Sequence, residues 1–178
     1  LCIVDDVQIY DEEKRARGID LVTVSRRRPP ANVLDPCVKS LNYLNSALAK
    51  LEARQRGADE ALLLNQQGNV AEASVANVFM VQGTTLRTPP PTDGALAGIT
   101  RASILEIAPG LGLRPEESSL GRVDLLGADE LFLTGTGAGL VPVRTLDREP
   151  IGAGAPGPIT LQLASALDEL RREGGVQL

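Results

Sequence analysis

Apolar and polar positions follow two different periods along this chain of 178 residues. Positions 1–10 and 19–25 read as strands, the second rich in β-branched residues, with a charged stretch at 11–17 between them. The period then lengthens. Leu41, Leu44, Leu48 and Leu51 recur three and four apart, which predicts a helix stopped by Gly57. Asp35, able to cap free amides, and Pro36, suited to a first helical position, predict where that helix opens. Short strands follow at 61–64, 70–81 and 85–88, punctuated by Gly68-Asn69, Gly83 and the prolines at 89–91. A helix is predicted over 98–108, capped by Thr100 and broken at Pro109, then strands at 130–134 and 140–143 around a glycine-rich turn. After a loop at 152–158, Ile159, Leu163, Leu167 and Leu170 mark one face of a closing helix. Intermixed helices and strands in a chain of this length predict an α/β domain, built as a distorted barrel.

Composition narrows the chemistry. The formal net charge is −5 and the pI about 4.8, so no basic face is available to neutralise phosphates and nucleic acid is not an expected partner. Arg26-Arg27-Arg28 is the one basic cluster and reads as a solvated loop before Pro29-Pro30, or as a rim that attracts anionic substrates. Two cysteines give neither a disulfide framework nor metal-ligand spacing. There is no histidine, which excludes Ser-His-Asp and Cys-His catalysis and most transition-metal sites. No apolar run is long enough to cross a membrane and no signal peptide is visible, so a cytoplasmic protein is expected. The chain starts at Leu1, inside an expected strand, as if it began within a larger protein.

Four segments carry candidate chemistry. Lys39 falls in the expected first helical turn, where the positive end of the helix dipole disfavours an ammonium and eases formation of the free amine that carbonyl chemistry needs. Taken alone, it reads more simply as an ordinary surface lysine. Tyr43 lies one helical turn on and shares its face, or else is a core aromatic. Glu72 sits among small and apolar residues, with Val70, Ser74 and Ala76 on its side of the expected strand. It is either a buried carboxylate that needs a partner or an exposed edge-strand glutamate. Asn77 is expected to satisfy local backbone groups. Leu96-Ala97-Gly98-Ile99-Thr100-Arg101 leads into a helix start whose free amides suit a phosphate, or which Thr100 simply caps. Thr134-Gly135-Thr136-Gly137-Ala138-Gly139 follows a strand, and its successive amides can form an anion nest. A dinucleotide-binding fingerprint is rejected there, because that motif must open a helix and Val141-Pro142-Val143 reads as a strand. A reactive lysine, a buried carboxylate, a phenol and two phosphate cups together describe a pyridoxal phosphate site.

The ordered motifs Lys39-Ser40-Leu41-Asn42-Tyr43-Leu44-Asn45, Glu72-Ala73-Ser74 with Asn77 and Phe79, Leu96-x-Gly98-Ile99-Thr100-Arg101, and Thr134-Gly135-Thr136 with Pro142-Val143 resemble the class IV aminotransferases. This is the fold-type IV group of pyridoxal 5'-phosphate enzymes, with branched-chain aminotransferases, D-amino-acid aminotransferases and aminodeoxychorismate lyases. The resemblance implies the large C-terminal cofactor domain, over 19–173, with 1–18 as the end of the preceding segment and first strand, 174–178 as a tail, and the N-terminal lobe absent from this chain. It implies Lys39 as the Schiff-base lysine and proton shuttle, Glu72 against the pyridine nitrogen, and Tyr43 near the ring oxygen. Leu96 would pack on the ring, Ile99, Thr100 and Thr136 would bind phosphate, and Gly137 and Ala138 would lie near the substrate carboxylate. Small-molecule amino acids and 2-oxo acids are the implied partners, with a homodimer or higher homo-oligomer as the implied assembly of the full-length protein. Ala97 stands where the family often has proline, Gly139 where branched-chain enzymes commonly have glutamate, and Val75 where a smaller residue is frequent. The implied activity is transamination of a branched-chain or similar aliphatic amino acid. The alternatives are a D-amino-acid transaminase, an aminodeoxychorismate lyase, or a truncated inactive domain.

Overall fold

The computed structural model describes residues 10–154 and 156–173. The strand expected over 1–10 lies outside them, apart from Tyr10. The charged stretch that follows is a short helix, α1 (Glu12–Arg17), because Asp11 caps it by accepting from the Lys14 amide at 2.7 Å. Strand β1 (Ile19–Arg27) and helix α2 (Leu44–Gln55) lead into β2 (Glu60–Leu64), β3 (Val70–Ala73), β4 (Asn77–Gln82) and β5 (Thr85–Thr88). Helix α3 (Ile99–Ile107), β6 (Arg114–Glu117) and α4 (Arg122–Leu126) come next. The chain then runs through β7 (Glu130–Gly135), β8 (Gly139–Leu146), β9 (Glu149–Pro150) and α5 (Pro158–Glu173).

The strands form one sheet in the order β3-β2-β1-β8-β7-β4-β5-β6, with β9 beside β8. β1 runs parallel to both β2 and β8, while β7 is antiparallel to β8 and β4. The expected single strand over 70–81 is two strands. Between them, Ser74, Val75 and Ala76 bend, and the Ala73 amide donates to Ala76 O at 2.8 Å. That bend carries the chain from the end of the sheet straight into its middle, so the sheet must curl back on itself. The result is the distorted barrel expected from the sequence.

Strand alternation sorts the core into an inside and an outside. Ile19, Leu21, Leu62, Leu64, Val78, Met80, Leu131 and Leu133 point inward into one buried cluster. On the outside, Phe79 and Phe132 are direct cross-strand partners whose rings stack 5.2 Å apart, under α3 and α5. Such pairs add about 0.5–1.5 kcal/mol beyond area burial. Val22, Val24, Ala61 and Leu63 pack against Ala49 and Ala53 of α2.

That last contact revises the reading of α2. Its buried face is Ser46, Ala49 and Ala53, small residues that let the helix approach the sheet closely, while Leu41, Leu44 and Leu51 are exposed. Glu60 is fully buried beneath this helix. It accepts from Tyr10 Oη at 2.8 Å and Lys50 Nζ at 2.6 Å, and also from Ser74 Oγ at the bend. Burial, then the Glu60 charge, push the Tyr10 hydroxyl pKa up, so it stays a donor.

Candidate active site

A cleft of about 510 Å³ opens where four segments meet: residues 28–46, the β3–β4 bend, the start of α3 and the β7–β8 turn. Lys39, Tyr43, Glu72, Leu96, Ile99, Thr100, Thr136 and Gly137 all line it. Ala138 does not. It is 1% exposed and belongs to the inner core, because the hairpin turns its methyl inward.

Lys39 stands in a loop, not in a helix. α2 begins only at Leu44, and Asp35 Oδ1 accepts from the Cys37 amide at 2.9 Å in a local turn instead of capping a helix. No helix end therefore acts on the Lys39 amine as the sequence pattern suggested. Lys39 and Tyr43 still meet, with Lys39 Nζ donating to Tyr43 Oη at 2.9 Å. The amine is at the rim of the cleft, exposed and next to a phenol.

Glu72 is buried in the cleft wall, not exposed on an edge. Arg28 Nη2 donates to its Oε1, while the Leu96 amide and Asn77 Nδ2 donate to its Oε2 at 3.0 and 3.1 Å. A carboxylate has about four acceptor sites, so three fixed donors leave one free. Arg28 is itself tied down, donating from Nε to Gly94 O and from Nη1 to Ser46 Oγ, each at 3.1 Å. Burial draws the Arg28 pKa down from its ordinary value, against the opposing influence of Tyr43, yet a guanidinium stays protonated at working pH. Arg28 was not singled out in the sequence. The sequence pattern groups it with Arg26 and Arg27, as a solvated loop or an anion-attracting rim. The signal was there in strand alternation: β1 extends to Arg27, and the residue beyond it turns inward.

Asn77 does satisfy a backbone group, Leu96 O at 2.8 Å, and it also reaches Glu72. The start of α3 has Gly98 as its N-cap with no side-chain cap, so Thr100 is not the cap and lies one turn position inside. The first amides of α3 are thereby left for a ligand. Gly98 has an ordinary φ of −70°, so its need is space: a Cβ there would run into Asn77 Oδ1. At the β7–β8 hairpin, Gly135 pairs with Gly139 across a turn of three residues. Thr134 at its base is fully buried, and its Oγ1 has no partner among the described residues.

The chain matches the amino-transferase class IV family over residues 2–146. It belongs to that family. The putative branched-chain-amino-acid aminotransferase of Methanocaldococcus jannaschii is 44% identical over 161 residues, covering 90% of this chain and 56% of the relative. The probable branched-chain-amino-acid aminotransferase of Aquifex aeolicus is 48% identical over 150 residues, covering 83% and 48%. Among solved structures, the branched-chain amino acid aminotransferase of Escherichia coli superposes with a TM-score of 0.87 at 38% identity, covering 90% of this chain and 53% of that one. The enzyme of Thermobaculum terrenum in its PLP-form gives 0.86 at 40% identity, with the same coverage. The chain spans about half the length of these relatives.

Class IV aminotransferases use pyridoxal phosphate. The cleft fits that group on three counts. Glu72 has one acceptor site open toward it, the first amides of α3 are uncapped, and a buried Thr134 hydroxyl at its edge has no partner among the described residues.

Proposed function

We propose that this chain is the cofactor-holding half of a transaminase that moves an amino group between a branched-chain or similar aliphatic amino acid and a 2-oxo acid such as 2-oxoglutarate. The observation that carries the reading is the cleft itself. An amine on a phenol and a carboxylate fixed by three donors line the same 510 Å³ space. Relatives carrying the branched-chain aminotransferase name support the substrate class.

Bound pyridoxal phosphate supplies an aldehyde for an amine and a ring that takes up electrons from the substrate α-carbon. In this reading Lys39 is the amine that would hold the aldehyde and the group that would carry a proton between the substrate α-carbon and C4′. Tyr43 steadies Lys39 Nζ and bonds the ring oxygen. Glu72 would face the ring nitrogen through its free acceptor site, and Arg28 and Asn77 keep it from turning away. Leu96, in the cleft wall, would pack on the ring. The amides of Ile99 and Thr100, with the hydroxyls of Thr100 and Thr136, hold the phosphate. Gly137 offers a backbone amide near the substrate carboxylate, and Ala138 supports that turn from the core side. A homodimer of the longer protein is the proposed assembly.

The test is borohydride reduction of the chain with pyridoxal phosphate, then peptide mapping. A pyridoxyl group on Lys39 is expected. An adduct confined to Lys14 or Lys50 would refute the assignment. Paired L- and D-amino acids offered to the longer protein then separate the branched-chain reading from a D-amino-acid transaminase.

A further inference from the structure

A second, smaller hollow of about 210 Å³ lies outside the barrel, between α1, the start of β8 and α5. It belongs to neither the cleft nor its chemistry. Gly139 stands at its floor with a φ of +66°, a conformation that favours glycine, and so leaves the space above it open. A carbon placed on Gly139 would lie 3.4 Å from Nη1 of Arg15 and 3.4 Å from Nη1 of Arg171. Two guanidinium groups from different helices thus come together over the Gly139 backbone. Like charges brought together this way repel, and an anion between them removes the repulsion.

Among the described residues, the groups around them are lightly used. Arg171 has Asp168 at 3.6 Å, a loose surface pair, and Arg15 Nε reaches Tyr10 O at 3.4 Å. Thr160, 1% exposed, forms part of the same wall, and its Oγ1 is buried without a partner among the described residues. Glu130 is directed to the α5 amides of Ile159 and Thr160, at 3.0 and 2.7 Å. The rest of the wall is apolar, with Leu140, Leu161 and Ala164 beside the charged end.

We propose that this hollow is a second ligand site, for a small aliphatic monocarboxylate. Its carboxylate lies between the forks of Arg15 and Arg171, which match its planar geometry, and its alkyl part lies on Leu161 and Ala164. The charge count favours a monoanion. Two arginines and Asp168 leave one positive charge, which one carboxylate balances and a dianion overshoots. The volume is below that of drug-sized sites, which limits the ligand to a few carbons. The proposal stands apart from the reading of the larger cleft.

The test is an NMR titration of the isotope-labelled chain with 3-methylbutanoate, and in parallel with inorganic phosphate. Saturable shifts at the amides of Gly139, Leu140 and Ala164 are expected. Arg171→Ala should weaken binding about ten- to a hundredfold, as loss of a charge-assisted bond does. Arg15→Ala should do the same, and Leu161→Asp should repel the ligand. Both arginines are exposed, so the remaining spectrum should be unchanged and reports that the fold is kept. Absence of shifts at these amides, shifts confined to cleft residues such as Gly98 and Thr136, or an affinity in either arginine variant equal to that of the unsubstituted chain would overturn the site. Tighter binding of phosphate than of 3-methylbutanoate would overturn the choice of a monocarboxylate.

Discussion

Replacing Arg28 by methionine removes the guanidinium from Glu72 and keeps most of the side-chain volume. Its side chain is 14% exposed and that of Glu72 5%, so the pair belongs to the buried class. Surface pairs contribute about 0–1 kcal/mol. Removing one partner of a buried pair is far more damaging, about 3–5 kcal/mol, because the other charge is stranded. Two features place this case at the lower end. Glu72 keeps the Leu96 amide and Asn77 Nδ2 as donors, and the cleft beside it admits water. Arg28→Met also strands Gly94 O and Ser46 Oγ, which are the milder losses. The expected destabilisation is about 3 kcal/mol. For a chain of this size that lowers the Tm by about 6–12 °C. Urea unfolding followed by circular dichroism measures it. The double variant Arg28→Met/Glu72→Gln removes both charges and should recover most of the loss, giving a large interaction energy in the cycle. A loss below about 1 kcal/mol in Arg28→Met, with additive effects in the cycle, would show that the pair is a solvated surface contact and that the reasoning is wrong.

Glu72→Gln in the longer enzyme should keep the fold and slow transamination on the order of a hundredfold or more, since an amide cannot hold the ring nitrogen protonated; near-normal turnover would remove Glu72 from the mechanism. Burial works to raise the Asp147 pKa, but hydrogen bonds from Arg122 and from the Thr23 amide and hydroxyl outweigh it and hold the carboxyl below its usual range. Its stabilising contribution is therefore complete above about pH 4 and is lost as pH falls through the depressed value, so Asp147→Asn should flatten the acid limb of a stability–pH curve. Arg148 carries a φ of +73° in the β8–β9 turn, so Arg148→Gly should raise stability by about 1 kcal/mol in denaturant unfolding. Gly98→Ala should lower stability by about 1–3 kcal/mol in the same assay, through overlap with Asn77.

The elements with hard boundaries were readable in the sequence. β5 is fenced by Gly83 and the prolines after Thr88, and α3 by Gly98 and Pro109. The cleft residues were legible because each motif couples a chemical group to a backbone break. Lys39 was misplaced for a physical reason: the capping chemistry of Asp35 that opens a helix also closes a turn, and here only Cys37 answers it. The bend at Ser74-Val75-Ala76 has no glycine or proline to mark it in the sequence; it is held by the Ala73 amide on Ala76 O and by Ser74 Oγ on the distant Glu60. β6 and α4 gave no signal. The first is a polar edge strand containing Pro115, and the second is five residues long. Arg28 was hidden by its neighbours, because three consecutive arginines look alike until the strand that carries them is placed.

Gly98 and Asn77 set a rule for how this sequence can diverge. Asn77 cannot swing aside to admit a side chain at position 98, because its amide is committed to Glu72 and to Leu96 O. Any larger residue at 98 therefore has to follow, not precede, a smaller one at 77. That earlier change would itself loosen Glu72. The two positions form a one-way gate through which a descendant can pass only by first weakening the site it inherited. Lineages that keep the chemistry are confined to the present pair, and one that has replaced both is expected to have left it behind.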